Sequence, residues 1–484
     1  MSKADDKHVS ERLTGQDLSF WWVDNPMQRT TMAMLMILDR SPDEQRLRQA
    51  LERAIEAVPR LSQRVINAPL DITLPRWETD PTFDLDYHVR RHALTGRADL
   101  NELFRAIGPT YETPFDRSRP LWDVRVFDGL GPDGGAAMFF KLHHAVADGV
   151  GGNAIFAAMT DWERESPPSA PRLPVRKRKG SWPGQAPLVT RVWDAVWDRV
   201  DLDLGRARSV AATLWDALQD PEQIERAAQS VRSIIEAGRF DSGSPLKAKV
   251  GRARRLSGLS LPFQEVRALK QHFGGTMIDV ILTIMARAIG KWHVKHHLTD
   301  VRELMTLVPV NLRKQTEWTD QVQTGNRATG ILVPLPIHIK NPLTLYKEVR
   351  KRMEQKKEDP ASQSAPMLAE IFSILPRQIM TWLAQGSFGD IDYIVTNVPG
   401  ILVPRYLAGA EILATYPFAP VAKTSPVSIA LYGYRDRLFI GIDSDETTMP
   451  DVERFQEMIR ESFEELRAAV DKRQNHRRPL KRTA

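Results

Sequence analysis

Short apolar runs alternate along the chain with segments whose apolar residues recur at three- and four-residue steps. The runs Met32–Leu38 and Ala136–His143 predict buried strands, because short uninterrupted apolar stretches are typical of strands covered on both faces. Apolar residues at helical spacing predict helices at Gln45–Ala57 and from Met277 onward. We predict further strands at 304–310, 330–337, 390–395, 428–432 and 438–443, and a last helix that begins near Pro450.

The composition changes near the middle of the chain. Residues 165–180 are rich in proline and then strongly basic, which is typical of a linker, and residues 188–237 follow a helical pattern. We therefore predict an N-terminal half at 1–164, a linker at 165–250 and a C-terminal half at 251–484. Strands and helices alternate in both halves, so the fold class expected is α/β with two domains and a ligand site between them.

The chain has 484 residues, of which 42% are hydrophobic and 26% are charged, as in ordinary globular proteins. It contains no cysteine. This excludes a disulfide framework, a zinc ribbon, an iron–sulfur cluster held by thiolates and a cysteine nucleophile. A group transfer by this chain would therefore use a hydroxyl, a carboxylate or direct attack by the acceptor.

The net charge of +6 favours an anionic partner without choosing among a phosphorylated cofactor, an acidic membrane surface and nucleic acid. Nucleic acid is not expected, because the basic residues are not arranged with aromatic residues along one face. The polar N-terminus lacks the apolar core of a signal peptide, and no apolar run is long enough for a transmembrane helix. We therefore expect a cytoplasmic protein.

The string HHAVADG, in which His143 and His144 are followed by Asp148 and Gly149, is the most informative feature of the chain. A histidine at the end of a strand can act as a general base near neutral pH when a second group fixes its ring. Asp148 can supply that support locally or through an arginine, and Gly149 permits a tight turn. Without a serine or cysteine in the string, the base would activate an incoming acceptor directly.

A structural interpretation of the same string stays open. The histidine pair would then close a strand, and Asp148 would be the N-cap of the following helix. Arg119 and Arg313 are the candidate arginine partners of Asp148. A metal site is not expected, because the adjacent histidine pairs lack the spacing to a third ligand.

Several strings in order resemble the bacterial wax ester synthase/acyl-CoA:diacylglycerol acyltransferase family, a branch of the CoA-dependent acyltransferases. HHAVADG matches the active-site motif of that family. The other matching strings are LTGQDLSFWWVDNP, FDLDYHVRRHAL, PFDRSRPLWDVRVFDGL, VPVNLR, GNR and TNVPG, which together extend over nearly the whole chain.

The resemblance implies two halves similar to chloramphenicol acetyltransferase, with an active-site tunnel between them. It implies that His144 is the general base, which deprotonates a long-chain alcohol or diacylglycerol that then attacks the thioester of acyl-CoA. Asp148 would hold the motif loop, His143 would support it, and Asn397 would lie across the cleft. Acyl-CoA is then a co-substrate, and no separate cofactor is expected.

Each candidate substrate-binding residue also has a purely structural interpretation. Trp122 would line the cleft or pack in the core, and Gly151 and Gly152 would approach the CoA phosphates or simply begin a helix. The basic run 176–179 would meet anionic lipid or be a solvated linker. Lipid substrates favour a peripheral location at the inner face of the membrane or on lipid inclusions.

Two positions depart from the family pattern. Ile278 stands where an asparagine is usual, and Ala419 stands where a glycine is usual. These departures prompt an alternative hypothesis, a degenerate paralogue that binds acyl-CoA or lipid without turnover.

Overall fold

The computed structural model describes residues 11–69, 72–166, 196, 199–200, 240–311, 328–358 and 391–477. Most of the linker predicted at 165–250 lies outside the described residues. So do the basic run 176–179, Arg313 and the GNR string at 325–327.

The described elements confirm the predicted alternation of strands and helices. In chain order they are β1 (Glu11–Arg12), α1 (Gly15–Val23), β2 (Thr31–Leu38), α2 (Glu44–Ala57), β3 (Gln63–Ile66), β4 (Arg76–Thr79), α3 (Leu85–His88), β5 (Val89–Ala98), α4 (Leu100–Glu112), β6 (Trp122–Leu130), β7 (Gly135–His143), α5 (Gly149–Met159), β8 (Arg254–Pro262), α6 (Phe263–Phe273), α7 (Met277–Lys295), β9 (Glu303–Asn311), β10 (Ala328–Pro336), α8 (Pro342–Glu358), β11 (Tyr393–Ile401), β12 (Tyr406–Leu407), β13 (Ala410–Phe418), β14 (Val427–Tyr434), β15 (Arg437–Asp445) and α9 (Val452–Arg477).

The first large sheet has the strand order β12-β13-β2-β7-β6-β5 among the described strands. Its centre is formed by β2 and β7, the two apolar runs, which pair antiparallel with Leu35 opposite Phe139. Both side chains are fully buried. The amphipathic helix α2 buries Leu47 and Leu51 in the same core. Burial of these apolar faces is the main force that holds the site-bearing strand β7 in place.

The second large sheet has the order β10-β9-β11-β14-β15-β8 among the described strands. Helix α7 is buried along most of its length and packs with α9 over this sheet. The strands predicted at 304–310, 330–337, 428–432 and 438–443 are confirmed to within a residue or two at each end. Strand β11 starts three residues later than predicted and continues through the TNVPG string to Ile401.

Two strands of the C-terminal half belong to the first sheet. Strand β13 pairs antiparallel with β2, with Tyr416 opposite Leu35, although the sequence analysis predicted no strand there. The backbone of β13 passes so close to β15 that a Cβ atom at Gly441 would lie 1.7 Å from the Pro417 carbonyl oxygen. The two sheets are thus joined by the chain itself as well as by side-chain packing. The boundaries predicted at 164 and 251 stay predictions.

No single described helix is long and apolar enough to cross a membrane. Helices α6 and α7 meet that criterion only as a pair, and they are bent by 103° at the break between them.

A buried polar contact ties the two halves together beside β2. The Tyr111 hydroxyl oxygen lies 2.9 Å from the Thr31 carbonyl oxygen and 3.0 Å from Asp443 Oδ2. A tyrosine has one hydroxyl proton, which the two acceptors share when Asp443 is ionised; a protonated Asp443 can instead donate to Tyr111, and both hydrogen bonds are then complete. Burial raises the pKa of Asp443 to about 7, against the opposing effect of Arg254. The contact therefore depends on pH.

We predict that Asp443→Asn removes a pH dependence of stability. The folded pKa of Asp443 lies above its ordinary value, so its contribution is fully present below that ordinary value and is lost as the pH rises through about 7. The native protein should lose about 1 kcal/mol of unfolding free energy between about pH 6 and about pH 8. Urea unfolding should show this loss in the native protein and in the exposed control Asp436→Asn, but not in Asp443→Asn. Parallel pH curves for all three would contradict the prediction.

Candidate active site

His143 is the last residue of β7, and its ring is locked by a buried chain of hydrogen bonds. Its Nδ1 accepts from the Ala145 backbone N–H at 3.1 Å, so the ring proton lies on Nε2, which donates to Thr30 Oγ1 at 2.8 Å. Thr30 Oγ1 in turn donates to the Phe20 carbonyl oxygen at 3.2 Å. Burial lowers the pKa of His143 to about 4. His143 is therefore neutral near physiological pH, and its ring is held in one orientation.

His144 follows the end of β7 and is half-buried. Its backbone N–H donates to the Thr30 carbonyl oxygen at 2.8 Å, which extends the pairing of β7 with β2 by one residue. Its imidazole stacks on the Phe20 ring with the centroids 3.9 Å apart and the planes 15° apart. Ring atom Nδ1 is buried.

The loop after the histidines is held by a buried arginine. The carbonyl oxygen of Ala145 accepts from Arg60 at 3.2 Å, and the same guanidinium pairs with Asp17 at 3.2 Å. Arg60 and Asp17 are 2% and 0% exposed, so the charges compensate each other away from solvent. Asp17 also forms the capping box at the start of α1 with Thr14. The motif loop and α1 are thus fixed to each other.

Asp148 caps the helix that follows the motif. Its Oδ1 accepts from the Gly151 N–H at 2.8 Å, and its carbonyl oxygen accepts from the Gly152 N–H at 2.8 Å. The structural alternative for Asp148 is therefore realised, since it is the N-cap of α5. Both glycine amides are engaged within the motif, and the predicted approach of these glycines to the CoA phosphates stays a prediction. Arg119, one candidate partner, pairs with Asp116 and lies over Tyr87.

The start of α5 touches β11 of the second sheet. A Cβ atom at Gly149 would lie 2.9 Å from Val398 Cγ2, so only glycine permits this approach without a shift. One helical turn later, the Asn153 side-chain amide donates to the Pro399 carbonyl oxygen at 2.5 Å. Asn397 precedes Val398 on β11 and is exposed. The structure thus brings the HHAVADG and TNVPG strings together between the two halves.

Trp122 lies inside the core of the first sheet. It is 2% exposed, and its indole N–H donates to the Leu61 carbonyl oxygen at 2.6 Å. Its ring stacks between His88, at 4.4 Å between centroids, and Phe140, at 5.8 Å. These surroundings favour the packing alternative for Trp122 over a place on the cleft surface.

Ile278, one of the two departures from the family pattern, directly precedes Asp279 at the start of α7. Asp279 completes a capping box with Thr276 at the start of α7, so its position serves the helix. Ala419 directly follows the end of β13.

Among the described residues, no group of three or more histidines and acidic residues is placed to hold a metal ion.

Sequence reasoning missed three residues that form the surroundings of the histidines, namely Phe20, Thr30 and Arg60. They lie far from the motif along the chain, and none of them belongs to a sequence pattern that indicates a catalytic role. One signal was available, because the Thr14-to-Asp17 spacing is that of a capping box and marks the start of α1.

Two family models match most of the chain. The wax ester synthase/diacylglycerol acyltransferase catalytic domain matches residues 13–281, and the C-terminal domain of the same family matches residues 324–467. The chain belongs to this family. The family and its members' names indicate an acyltransferase, and the family implies acyl-CoA and acceptor substrates such as diacylglycerol.

Relatives of this family member extend over almost its full length. A Mycobacterium tuberculosis protein named as a diacylglycerol O-acyltransferase is 30% identical over 458 residues, which is 92% of this chain and 89% of the relative. A second protein of that organism with the same assignment is 28% identical over 461 residues, which is 94% of this chain and 95% of the relative.

Solved structures confirm the fold of this family member. The wax ester synthase/diacylglycerol acyltransferase from Marinobacter aquaeolei VT8 has a TM-score of 0.65 at 21% identity and covers 95% of this chain and 100% of its own. The first condensation domain of the CDA synthetase has a TM-score of 0.58 at 16% identity, with 96% and 97% covered. The predicted α/β architecture of two halves similar to chloramphenicol acetyltransferase is confirmed.

We predict opposite effects of alanine at two glycines of α5. Gly149→Ala places its Cβ 2.9 Å from Val398 Cγ2 and should cost about 1–3 kcal/mol of unfolding free energy. In the matched control Gly152→Ala the nearest atom is Met32 Cε at 3.5 Å, an ordinary contact, and the change should be neutral or stabilising by up to about 1 kcal/mol. Urea unfolding measures both.

The double variant Gly149→Ala/Val398→Ala tests whether the contact with Val398 causes the loss of stability in Gly149→Ala. If the clash with Val398 is the cause, shortening that side chain should recover part of the loss, so the two substitutions should be non-additive. Strict additivity would mean that the cost at Gly149 has another origin.

Proposed function

We propose that this protein is an O-acyltransferase that moves a fatty acyl group from acyl-CoA to a hydroxyl of diacylglycerol or a long-chain alcohol. The observation that carries the proposal is the difference between the environments of the two histidines. His143 is locked and neutral, whereas His144 is half-buried with its ring stacked on Phe20. This arrangement supports His144 as the base and His143 as its support.

The proposed reaction proceeds in one ternary complex. The acceptor hydroxyl gives its proton to Nε2 of His144 while its oxygen attacks the thioester carbonyl carbon. The carbon–sulfur bond then breaks, and the CoA sulfur takes the proton back from the imidazolium. The products are the ester and free CoA, and the enzyme returns to its initial state. Asp148 would act through the loop and helix that it caps, without relaying a proton.

The choice of acceptor rests on the relatives. The Mycobacterium tuberculosis proteins are named for diacylglycerol, and the Marinobacter protein is named for both wax esters and diacylglycerol. Acyl-CoA is the proposed donor, and no further cofactor is proposed.

We predict that His144→Gln lowers ester formation by about a hundredfold or more, because general-base catalysis contributes about 10²–10⁴ to rates. Products formed from palmitoyl-CoA with fatty alcohols, monoacylglycerol and diacylglycerol would be measured by mass spectrometry. His338→Gln, an exposed histidine on the second half, is the matched control and should leave the rate unchanged. Full activity of His144→Gln would remove His144 from the mechanism.

The product measurement, combined with a measurement of palmitoyl-CoA binding, tests the alternative of a degenerate paralogue. That alternative is prompted by Ile278 and Ala419. Palmitoyl-CoA binding by the native protein without product from any of the three acceptor classes would favour it over turnover.

Lipid acceptors partition into membranes, so we propose that the protein works at the inner face of the membrane or on lipid inclusions. The basic run 176–179 is the proposed contact with anionic lipid. We predict that replacing its four residues with glutamine lowers co-sedimentation with vesicles that contain phosphatidylserine, and that neutral phosphatidylcholine vesicles show no difference. Unchanged co-sedimentation with the anionic vesicles would leave the run a solvated linker.

A further inference from the structure

Helix α1 places an aromatic ring directly on the imidazole of His144. The centroids of Phe20 and His144 are 3.9 Å apart, and the near-parallel planes leave no room for another group between them. Phe20 covers one face of the imidazole, and the ring atom Nδ1 is buried. Rotation of the imidazole out of this plane would drive it into the phenyl ring.

Phe20 cannot retreat easily, because α1 is anchored at both ends. At the start of the helix, Asp17 pairs with Arg60, which also holds the motif loop through Ala145. Near the end, the Arg117 guanidinium lies 4.1 Å from the centre of the Trp21 ring.

The residue that follows α1 adds a further anchor. Asp24 pairs with Arg117 at 2.9 Å and accepts from the Thr30 backbone N–H at 3.1 Å. Thr30 is the residue that binds both histidines, so α1 and the histidine segment share one network. The position of Phe20 is therefore set by the same contacts that set the backbone of His144.

We propose that Phe20 is a positioning residue that fixes the plane of the His144 imidazole and so directs Nε2 toward the acceptor hydroxyl. This inference rests on the proposed role of His144 as the base. A base that samples several ring orientations spends less time in the reactive one, and small misplacements of reacting groups cost about 10²-fold in rate. Phe20 would act on the reaction through the imidazole of His144, on which its ring stacks.

The test combines a measurement of ring position with a measurement of turnover. The variants are Phe20→Leu, which removes the aromatic face, and Phe20→Tyr, which keeps it. Phe127→Leu is the matched control, because Phe127 also stacks on a histidine, His92, with centroids 5.2 Å apart. In protein labelled at its 11 histidines, the His144 imidazole signals are assigned by their absence in His144→Gln.

We expect the His144 ring protons of the native protein to be shifted upfield by the Phe20 ring current, and to move downfield in Phe20→Leu only. In turnover with palmitoyl-CoA, kcat of Phe20→Leu should fall about 10–100-fold, while KM for palmitoyl-CoA stays within about threefold. Phe20→Tyr should restore both the shift and most of kcat. Phe127→Leu should change neither.

The two measurements separate failure of this inference from failure of the proposed function. An unchanged His144 signal in Phe20→Leu, or a native kcat in that variant, would overturn the positioning role. A fall in kcat that Phe20→Tyr does not rescue would also overturn it. Absence of turnover in the native protein would overturn the proposed function, and the imidazole signals would still report whether Phe20 orients the ring.

Discussion

Thr30 makes a hydrogen bond with each polar group that it carries, and the arrangement of the two histidines depends on these bonds. Its hydroxyl accepts from His143 and donates to Phe20, its carbonyl oxygen accepts from His144, and its N–H donates to Asp24. Thr30 is 3% exposed, so a lost partner would leave a polar group unsatisfied away from water, at a cost of about 1–3 kcal/mol. This network holds the ring of His143, which burial keeps neutral, and fixes the backbone of His144.

The remainder of the site is built by approach of the two halves. Glycine at 149 lets the first turn of α5 lie against Val398, and Asn153 bonds to the backbone of β11. The Tyr111–Asp443 contact joins the same halves beside β2. The strand that carries the histidines and the strand that carries TNVPG are therefore held at a fixed separation, which a reaction between two bound substrates requires.

Much of the fold could be predicted from the sequence, because the strands at 304–310, 330–337, 428–432 and 438–443 are short apolar runs with clear limits. Strand β13 could not, since it mixes Glu411, Thr415 and Pro417 with apolar residues and pairs with a strand from the other end of the chain. The end of β11 was missed because Pro399 and Gly400 suggest a turn.

The candidate site also has residues that could be predicted from the sequence and residues that could not. His143, His144 and Asp148 could be found because the motif is contiguous. Thr30, Arg60 and Phe20 could not, since their roles exist only when α1 and β2 meet the end of β7. For Trp122 the sequence left two alternatives open, the cleft surface and the core, and the enclosed indole favours the core.

The crossing of β13 has a consequence for how the protein is made. Asp39 and Glu411 are bonded through backbone and side chain although they are 372 residues apart in the chain. During synthesis, one edge of β2 therefore stays unpaired until β13 has been made, when most of the polypeptide has left the ribosome. An open edge of that kind is a template for pairing with other chains. We therefore expect the unpaired edge of β2 to be a point at which the nascent N-terminal half can aggregate before β13 is made.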